Sequence, residues 1–412
     1  MLKRIRVDQL RVGMYLKEFC GSWMEHPFWR SSFVITDAKD IASIRASSIK
    51  EVWIDSAKGV DLPAAEGGVS VAEAQAQADA ELATAASQAR EIKRVPSSVE
   101  FARAAKIVAG SRQAVQSMFE EARMGRAIDA LGVQEIVESI SDSVSRNPGA
   151  LISLARLKNA DDYTYMHSVA VCALMTSLAR QLGLDDAQTR SAGISGLLHD
   201  LGKAAMPIEV LNKPGKLTDE EFAIIKSHPR EGHRMLLASG NAEPVALDVV
   251  LHHHEKIDGS GYPEGLRGDE ISLFAKMGAV CDVYDAITSN RPYKSGWDPA
   301  ESLRKMAEWS NGHFEPSVFH AFVKSIGIYP IGSLVLLSCG RLGVVIEQDS
   351  NSLLTPHVRV FFSTQARVRI APQIVELARS AGKLKIVSRE DPARWNFPDL
   401  DEIWSGLAGA RN

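Results

Sequence analysis

The sequence predicts a mainly α fold: a helical bundle flanked by a small N-terminal β-rich domain and a small C-terminal β-sheet extension. Three observations predict it. From about residue 98 to about 325, apolar residues recur at spacings of three and four, the period of one helix face. Toward both ends, short runs rich in Val, Ile and Phe replace that pattern, and some alternate with period two. Between the N-terminal unit and the bundle the composition shifts to Ala, Gln and Glu, strong helix formers with few large apolar groups.

The elements follow in chain order. Ile5–Val7, Ser32–Ile35 and Ile49–Asp55 read as strands, with a short helix over Asp37–Ser47. Val69–Lys93 reads as a solvated helical connector, or as a helix that pairs with a second subunit, and Pro96 interrupts it. Val99–Arg123, Val133–Ser145 and Thr164–Leu182 carry the helical spacing. Thr218 and Glu221 form a capping box, and Pro229 suits a first helical position with His228 at the cap. Gly332–Leu337, Leu342–Ile346 and His357–Phe362 read as an antiparallel sheet, with a turn at Asp349–Ser352. The expected domains are 1–62 (β-rich), 63–130 (helical linker), 131–326 (bundle), 327–395 (β-rich extension) and 396–412 (tail). No repeat of 20 to 50 residues is apparent.

Composition narrows the function classes. Hydrophobic content of 45% and charged content of 24% fit an ordinary globular protein with real cores. A formal net charge of −4 gives no global basic field for DNA. Cys20, Cys172, Cys281 and Cys339 are far apart and form no CxxC pair, so free thiols in a cytoplasmic protein are expected. The start, Met1–Arg6 followed by Asp8 and Gln9, is not a signal peptide, and no run of 18 apolar residues predicts membrane insertion.

Chemistry concentrates in histidines and aspartates. His252, His253 and His254 stand in a row before a glycine-punctuated loop, Asp258–Pro263. Neutral imidazole is a common metal ligand. His167 shares a helix face with Val171, Leu174 and Leu178, so it points into the bundle, as a ligand or as a hydrogen-bonded core residue. His199-Asp200 ends the apolar run Ile194–Leu198, beside the small residues Gly193, Ser195 and Gly196. Asp282 lies among Met277, Val280 and Val283 on a helix over Leu273–Ser289, where a charge is costly unless paired or metal-bound. Asp285 follows one turn later, where an Asp–Arg pair is the alternative. Composition and spacing alone point to a metal phosphohydrolase.

These pieces resemble the HD-GYP family, a subgroup of the HD phosphohydrolases. The likeness rests on His167, HDLGK (199–203), KPGKLTDEEF with HP (213–229), HHEKIDGSGYPEGL (253–266) and DVYDAITSNRPYK (282–294). The N-terminal run Leu10–Leu16 also resembles a small domain of unknown role that often precedes this family's domain. It lacks the length and acidic cluster of a receiver domain.

The resemblance implies a binuclear centre. His167, His199, Asp200 and Asp282 would hold one metal, and Asp200, His228, His253 and His254 the other, with Asp200 bridging. A nitrogen–oxygen donor set without thiolate suits iron first, then manganese, with zinc less favoured. Some members place a Glu four residues before the first His for a third metal; Tyr163 stands there, so two metals are expected. His252 is expected to be a helix neighbour, and Glu255 to orient the ligands from behind.

The catalytic residues implied are Asp200 and Lys203. Lys203, Arg291 and Lys294 would contact substrate phosphate, and Tyr262, Gly261 and Asp285 join the substrate-binding set. Two divalent ions about 3.5–4 Å apart can share a water, lower its pKa and clamp a phosphodiester for in-line attack on phosphorus. The resemblance further implies cyclic di-GMP as substrate, cleaved to linear pGpG and, in some members, onward to GMP. Alternatives are another cyclic dinucleotide or a nucleotide monophosphate as substrate. A different class is a weakly catalytic receptor, or a module that binds diguanylate-cyclase-type domains through the GYP loop. A homodimer is compatible with either class.

Overall fold

The computed structural model describes all residues except 22–31, 48, 64–66, 87–94, 127, 158–162, 214, 216, 241, 290–295, 350–351, 381 and 407–412. The chain groups into two units, Met1–Ala83 with Arg304–His313, and Thr84–Leu303 with Phe314–Asn412.

In the first unit, β1 (Leu2–Arg6), β2 (Tyr15–Cys20), β3 (Phe33–Val34), β4 (Glu51–Asp55) and β5 (Val69–Ser70) form an antiparallel sheet in the order β3-β2-β4-β1-β5. Helix α1 (Ala38–Ala46) starts at Asp37, whose carboxylate accepts the Lys39 N–H at 2.9 Å. Ile5, Met14, Leu16, Ile44, Val52 and Ile54 form the core. Strand β4 is not half-buried, as alternation predicts: Val52, Trp53 and Ile54 are all buried. Lys305 of the same unit lies over the Trp53 ring, 6.0 Å from its centroid.

Helix α2 (Val71–Ala86) buries Ala74, Ala78, Leu82 and Ala85 along one face. The expectation of a solvated connector is therefore corrected. Small residues bury little area each, so the stripe is weak in the sequence although it is buried. The rest of the expected helix, to Lys93, lies outside the described residues.

The second unit begins with α3 (Ser97–Arg123), α4 (Ala130–Arg146) and α5 (Pro148–Ala155). They surround α6 (Tyr163–Leu182) and α7 (Asp186–Leu198). From Met166 to Ala179 every residue of α6 is buried, so it is the central helix rather than an amphipathic one. Then follow a 3₁₀ turn (Leu201–Ala205), α8 (Ile208–Leu211), α9 (Asp219–Lys226), α10 (His228–Ser239), α11 (Pro244–His252) and α12 (Leu273–Thr288). Helix α13 (Pro299–His313) divides between the units after Leu303, and α14 (Pro316–Ile326) closes the bundle. Thr218 caps α9 in the expected capping box with Glu221. Helix α10 begins one residue earlier than expected, with Ser227 at the cap and His228 in its first turn.

Strands β6 (Leu334–Leu337), β7 (Arg341–Glu347), β8 (His357–Ser363), β9 (Val368–Glu376) and β10 (Ile386–Arg389) make an antiparallel sheet in the order β10-β6-β7-β8-β9. Two short helices, α15 (Pro392–Trp395) and α16 (Leu400–Ser405), end the described chain. Leu334, Leu342, Val344, Phe361 and Trp404 share one core cluster with Phe101, Val137 and Leu197, so this sheet packs on the bundle. Among the described residues no helix is long and apolar enough to cross a membrane.

Candidate metal centre

Close helix contacts carry the candidate ligands to one place. Helices α6 and α7 meet at Gly196, where a Cβ would stand 2.9 Å from the Val171 carbonyl oxygen. This approach sets His199, the C-cap of α7, beside His167. Gly202 in the 3₁₀ turn lies so close to α10 that a Cβ would stand 1.9 Å from the His228 carbonyl oxygen. His228 and Asp200 are thereby joined. Gly278 does the same between α12 and α11, its Cβ position lying 3.3 Å from His253 Cβ. Asp282 follows one turn along α12.

The result is two buried groups of donors. His167, His199 and Asp282 form one, and Asp200, His228, His253 and His254 form the other, with each group's donor atoms within 4.8 Å of one another. Asp200 spans them. Its Oδ2 lies 3.5 Å from His167 Nε2 and 3.4 Å from His199 Nε2, while its Oδ1 lies 3.2 Å from His228 Nε2 and 3.9 Å from His253 Nε2.

Backbone carbonyls fix most of the rings. His199 Nδ1 meets Gly196 O at 2.8 Å, His228 Nδ1 meets Ile225 O at 2.7 Å, and His253 Nδ1 meets Val249 O at 3.0 Å. A carbonyl can only accept, so each Nδ1 carries the proton and each Nε2 keeps its lone pair toward the centre. Asp285 does this for His167, with Oδ2 2.6 Å from Nδ1.

Electrostatics favour ligand-ready protonation states. Burial pushes the His253 pKa down to about 3, helped by the neighbouring rings of His199 and His228. Burial also holds His254 well below the usual value, with His253 adding to it. Burial opposes the charged form of Asp200, but Lys203 and His199 outweigh it and the pKa falls well below the carboxylate range. Burial likewise opposes Asp282, and His167 and His254 outweigh it in the same direction. For His167, burial favours the neutral ring, but Asp282 and Asp285 on its two nitrogens win and raise its pKa. Asp200 Oδ1 and Asp282 Oδ2 are buried without a hydrogen-bond partner. Two ionised carboxylates with unpaired oxygens, beside the neutral rings of His253 and His254, fit divalent cations, because burying such oxygens is otherwise costly.

The remaining sequence-predicted residues fall in several places. Lys203 donates to Asp200 Oδ2 and is partly exposed. It reaches Asp200 through the 3₁₀ turn, since the α-helix has ended. Tyr262 stacks on His254, with ring centroids 4.7 Å apart and planes at 25°. That covers one face that a base would need. At Gly261 a Cβ would stand 2.4 Å from the Lys256 backbone nitrogen, so this glycine lets the loop fold back on the His254–Lys256 backbone. His252 turns aside, with Nδ1 2.8 Å from Asp248 Oδ1.

Two expected site residues make contacts that the motifs did not indicate. Asp285 is buried behind His167, and its other oxygen accepts from Ser289 Oγ at 3.2 Å. Glu255 makes its contacts with the loop. Its carboxylate accepts the backbone N–H groups of Glu264 (2.7 Å), Gly265 (3.1 Å) and Leu266 (3.1 Å), and so holds the GYP loop. Arg291 and Lys294 lie outside the described residues, and the side chain of Tyr163 is likewise not described.

Comparison with known proteins gives the same picture. A family described as a domain of unknown function matches residues 2–132, and the HD domain family matches residues 138–318. The chain is 54% identical to a cyclic di-GMP phosphodiesterase of Pseudomonas aeruginosa, over 99% of this chain and 97% of that protein. The chain belongs to the HD-GYP family. A cyclic di-GMP phosphodiesterase response regulator of Xanthomonas campestris is 37% identical over 46% of this chain and 51% of its own. A 3'3'-cGAMP-specific phosphodiesterase of Vibrio cholerae is 34% identical over 47% of this chain and 43% of its own.

In this HD-GYP chain the sequence motifs named the donors but missed the residues that bring them together. Gly196, Gly202 and Gly278 were legible only as small residues near the motifs. Lys226, which lies over the Tyr262 ring, carried no signal.

Proposed function

We propose that this protein hydrolyses cyclic di-GMP to linear pGpG at a binuclear metal centre, with GMP as the product of any second cleavage. The observation that carries this reading is the Asp200 carboxylate, which turns one oxygen to His167 and His199 and the other to His228 and His253. His167, His199 and Asp282, with Asp200 Oδ2, would hold one divalent ion. His228, His253 and His254, with Asp200 Oδ1, would hold the second. Five imidazoles and two carboxylates without thiolate favour iron, with manganese next and zinc least.

When bound, two such ions supply Lewis acidity and a water acidic enough to deprotonate near neutral pH. The chain's own residues do the rest. The carbonyl-held Nδ1 protons keep Nε2 of His199, His228 and His253 aimed at the centre without rotamer search. Lys203 places a fixed ammonium beside Asp200, where negative charge on a phosphoryl oxygen would develop. Arg291 and Lys294 complete the phosphate contacts in this reading.

The loop Asp258–Pro263 is partly exposed, which supports a second role as a docking rim for a diguanylate-cyclase-type domain. A cytoplasmic location belongs to the same reading, supported by four free thiols.

The test is anaerobic purification, metal analysis and chromatography of the products from cyclic di-GMP and 3'3'-cGAMP. Two metals per chain, pGpG from cyclic di-GMP, and loss of turnover in Asp200→Ala are expected. Full activity of that variant excludes the bridging role, and preferential cleavage of cGAMP replaces the substrate.

A further inference from the structure

Lys226 is the last residue of α9, two positions before His228. Its ammonium lies 4.8 Å from the ring centroid of Phe222, one turn back on the same helix. It also lies 5.3 Å from the centroid of Tyr262 in the GYP loop. The Tyr262 ring in turn stacks on His254 at 4.7 Å. These two centroid distances, 5.3 Å and 4.7 Å, bound the separation between the Lys226 ammonium and the His254 ring at their sum.

Charge distinguishes Lys226 from the cations around it. Lys203 is neutralised by Asp200, Lys213 meets Glu221 at 2.6 Å, and Arg230 meets Glu264 at 3.4 Å. Among the described residues, Lys226 has no carboxylate partner, and it is exposed. Two aromatic rings restrain it without neutralising it, because a cation–π contact leaves the ammonium its hydrogen-bond donors. This is a positive charge held in place, one ring beyond the candidate metal ligands, with no carboxylate among the described residues to pair it.

We propose that Lys226 is a substrate-binding residue that takes the second phosphate of the cyclic dinucleotide. This rests on the cyclic di-GMP reading. The substrate carries two phosphodiesters on opposite sides of one ring. The reacting phosphate belongs at Asp200 and Lys203, so the other must leave the centre across its rim. There it needs a cation that the ligand set does not supply. Tyr262 then acts as a spacer: it shields His254 and sets the height of the ammonium above the centre. Its covered face does not stack on guanine.

The experiment uses the full-length, metal-loaded protein with Lys226→Met and Lys226→Arg. Each is assayed on cyclic di-GMP and on bis(4-nitrophenyl) phosphate, a diester with a single phosphate. Lys226→Met is expected to raise KM for cyclic di-GMP about tenfold, the loss of one charge-assisted contact, with kcat within about twofold. Lys226→Arg is expected to restore most of the affinity. The single-phosphate diester does not reach Lys226, so its turnover and the metal content are expected to change by less than about twofold. An unchanged KM for cyclic di-GMP in Lys226→Met overturns the assignment. So does an equal loss on both substrates, which would mean that Lys226 acts only by bracing Tyr262 and His254. If the unmodified protein cleaves bis(4-nitrophenyl) phosphate but not cyclic di-GMP, the function reading fails first and the Lys226 assignment falls with it.

Discussion

Gly202→Ala is a one-carbon change that tests how the centre is assembled. The backbone at Gly202 is not in the left-handed region, so alanine meets no conformational barrier there. Taken alone, the loss of unfolded-state freedom would stabilise the protein by about 0.4–1 kcal/mol. The surroundings reverse the sign. The new Cβ would lie 1.9 Å from the His228 carbonyl oxygen and 2.5 Å from the Gly232 nitrogen. Ordinary contact is about 3.5 Å, so the first turn of α10 must retreat by roughly 1–1.5 Å. Overpacking of this kind costs about 1–3 kcal/mol. His228 Nε2 starts 3.2 Å from Asp200 Oδ1, and ligand geometry tolerates only about 0.2 Å. A displacement of about 1 Å at a reacting centre costs about 100-fold in rate. The variant is therefore expected to hold one metal per chain, at the His167 group, and to turn over cyclic di-GMP about 100-fold more slowly. Metal analysis and initial rates by product chromatography read this out, and far-ultraviolet circular dichroism verifies the helical fold. Two metals per chain with unimpaired turnover would refute the argument that this glycine positions His228.

Three further predictions follow the same geometry. Asp285→Asn keeps the shape but weakens the partner that fixes His167 Nδ1–H; metal affinity at the His167 group is expected to fall about 10–100-fold in competition titrations, and an unchanged affinity would assign Asp285 elsewhere. Glu255→Ala strands three backbone N–H groups, so hydrogen exchange at Gly265 and Leu266 should accelerate by at least tenfold with metal content unchanged, and Glu255→Gln should recover part of the protection; slow exchange in both variants would place the loop's anchor outside Glu255. Lowering the pH should destabilise the metal-depleted protein between about 6.5 and 5. His253 and His254 are depressed in the fold, so below the ordinary histidine pKa the unfolded chain binds more protons. Each such proton contributes about 1.4 kcal/mol per pH unit, partly opposed by His167, whose raised pKa acts in the other direction. A denaturation midpoint that is flat over that range would contradict neutral His253 and His254.

Much of the centre was legible before any coordinates. His167, His199, Asp282 and their partners are polar residues set in apolar helical runs, where burial without a partner is too costly to persist. The partners of Asp285 and Glu255 were not legible, because residue type does not say which way a carboxylate faces. Asp285 turns to His167 because α12 packs beside α6, and Glu255 turns to the loop because Gly261 lets that loop fold back. Strand β2 was missed because Lys17 and Glu18 break its alternation, and α2 because its buried face is mostly alanine.

The sequence by itself determined the fold class, because apolar period is a property of the residues alone, and its likeness to the family's motifs named seven candidate donors. Tertiary structure decided which oxygen of Asp200 faces which imidazoles, which ring nitrogen keeps its lone pair, and that Lys226 lies over Tyr262 with no carboxylate partner among the described residues. The arrangement of the donors depends on close approaches at Gly196, Gly202 and Gly278, where an added Cβ would stand 2.9, 1.9 and 3.1 Å from its nearest neighbour. Such distances arise only when the whole bundle packs at once.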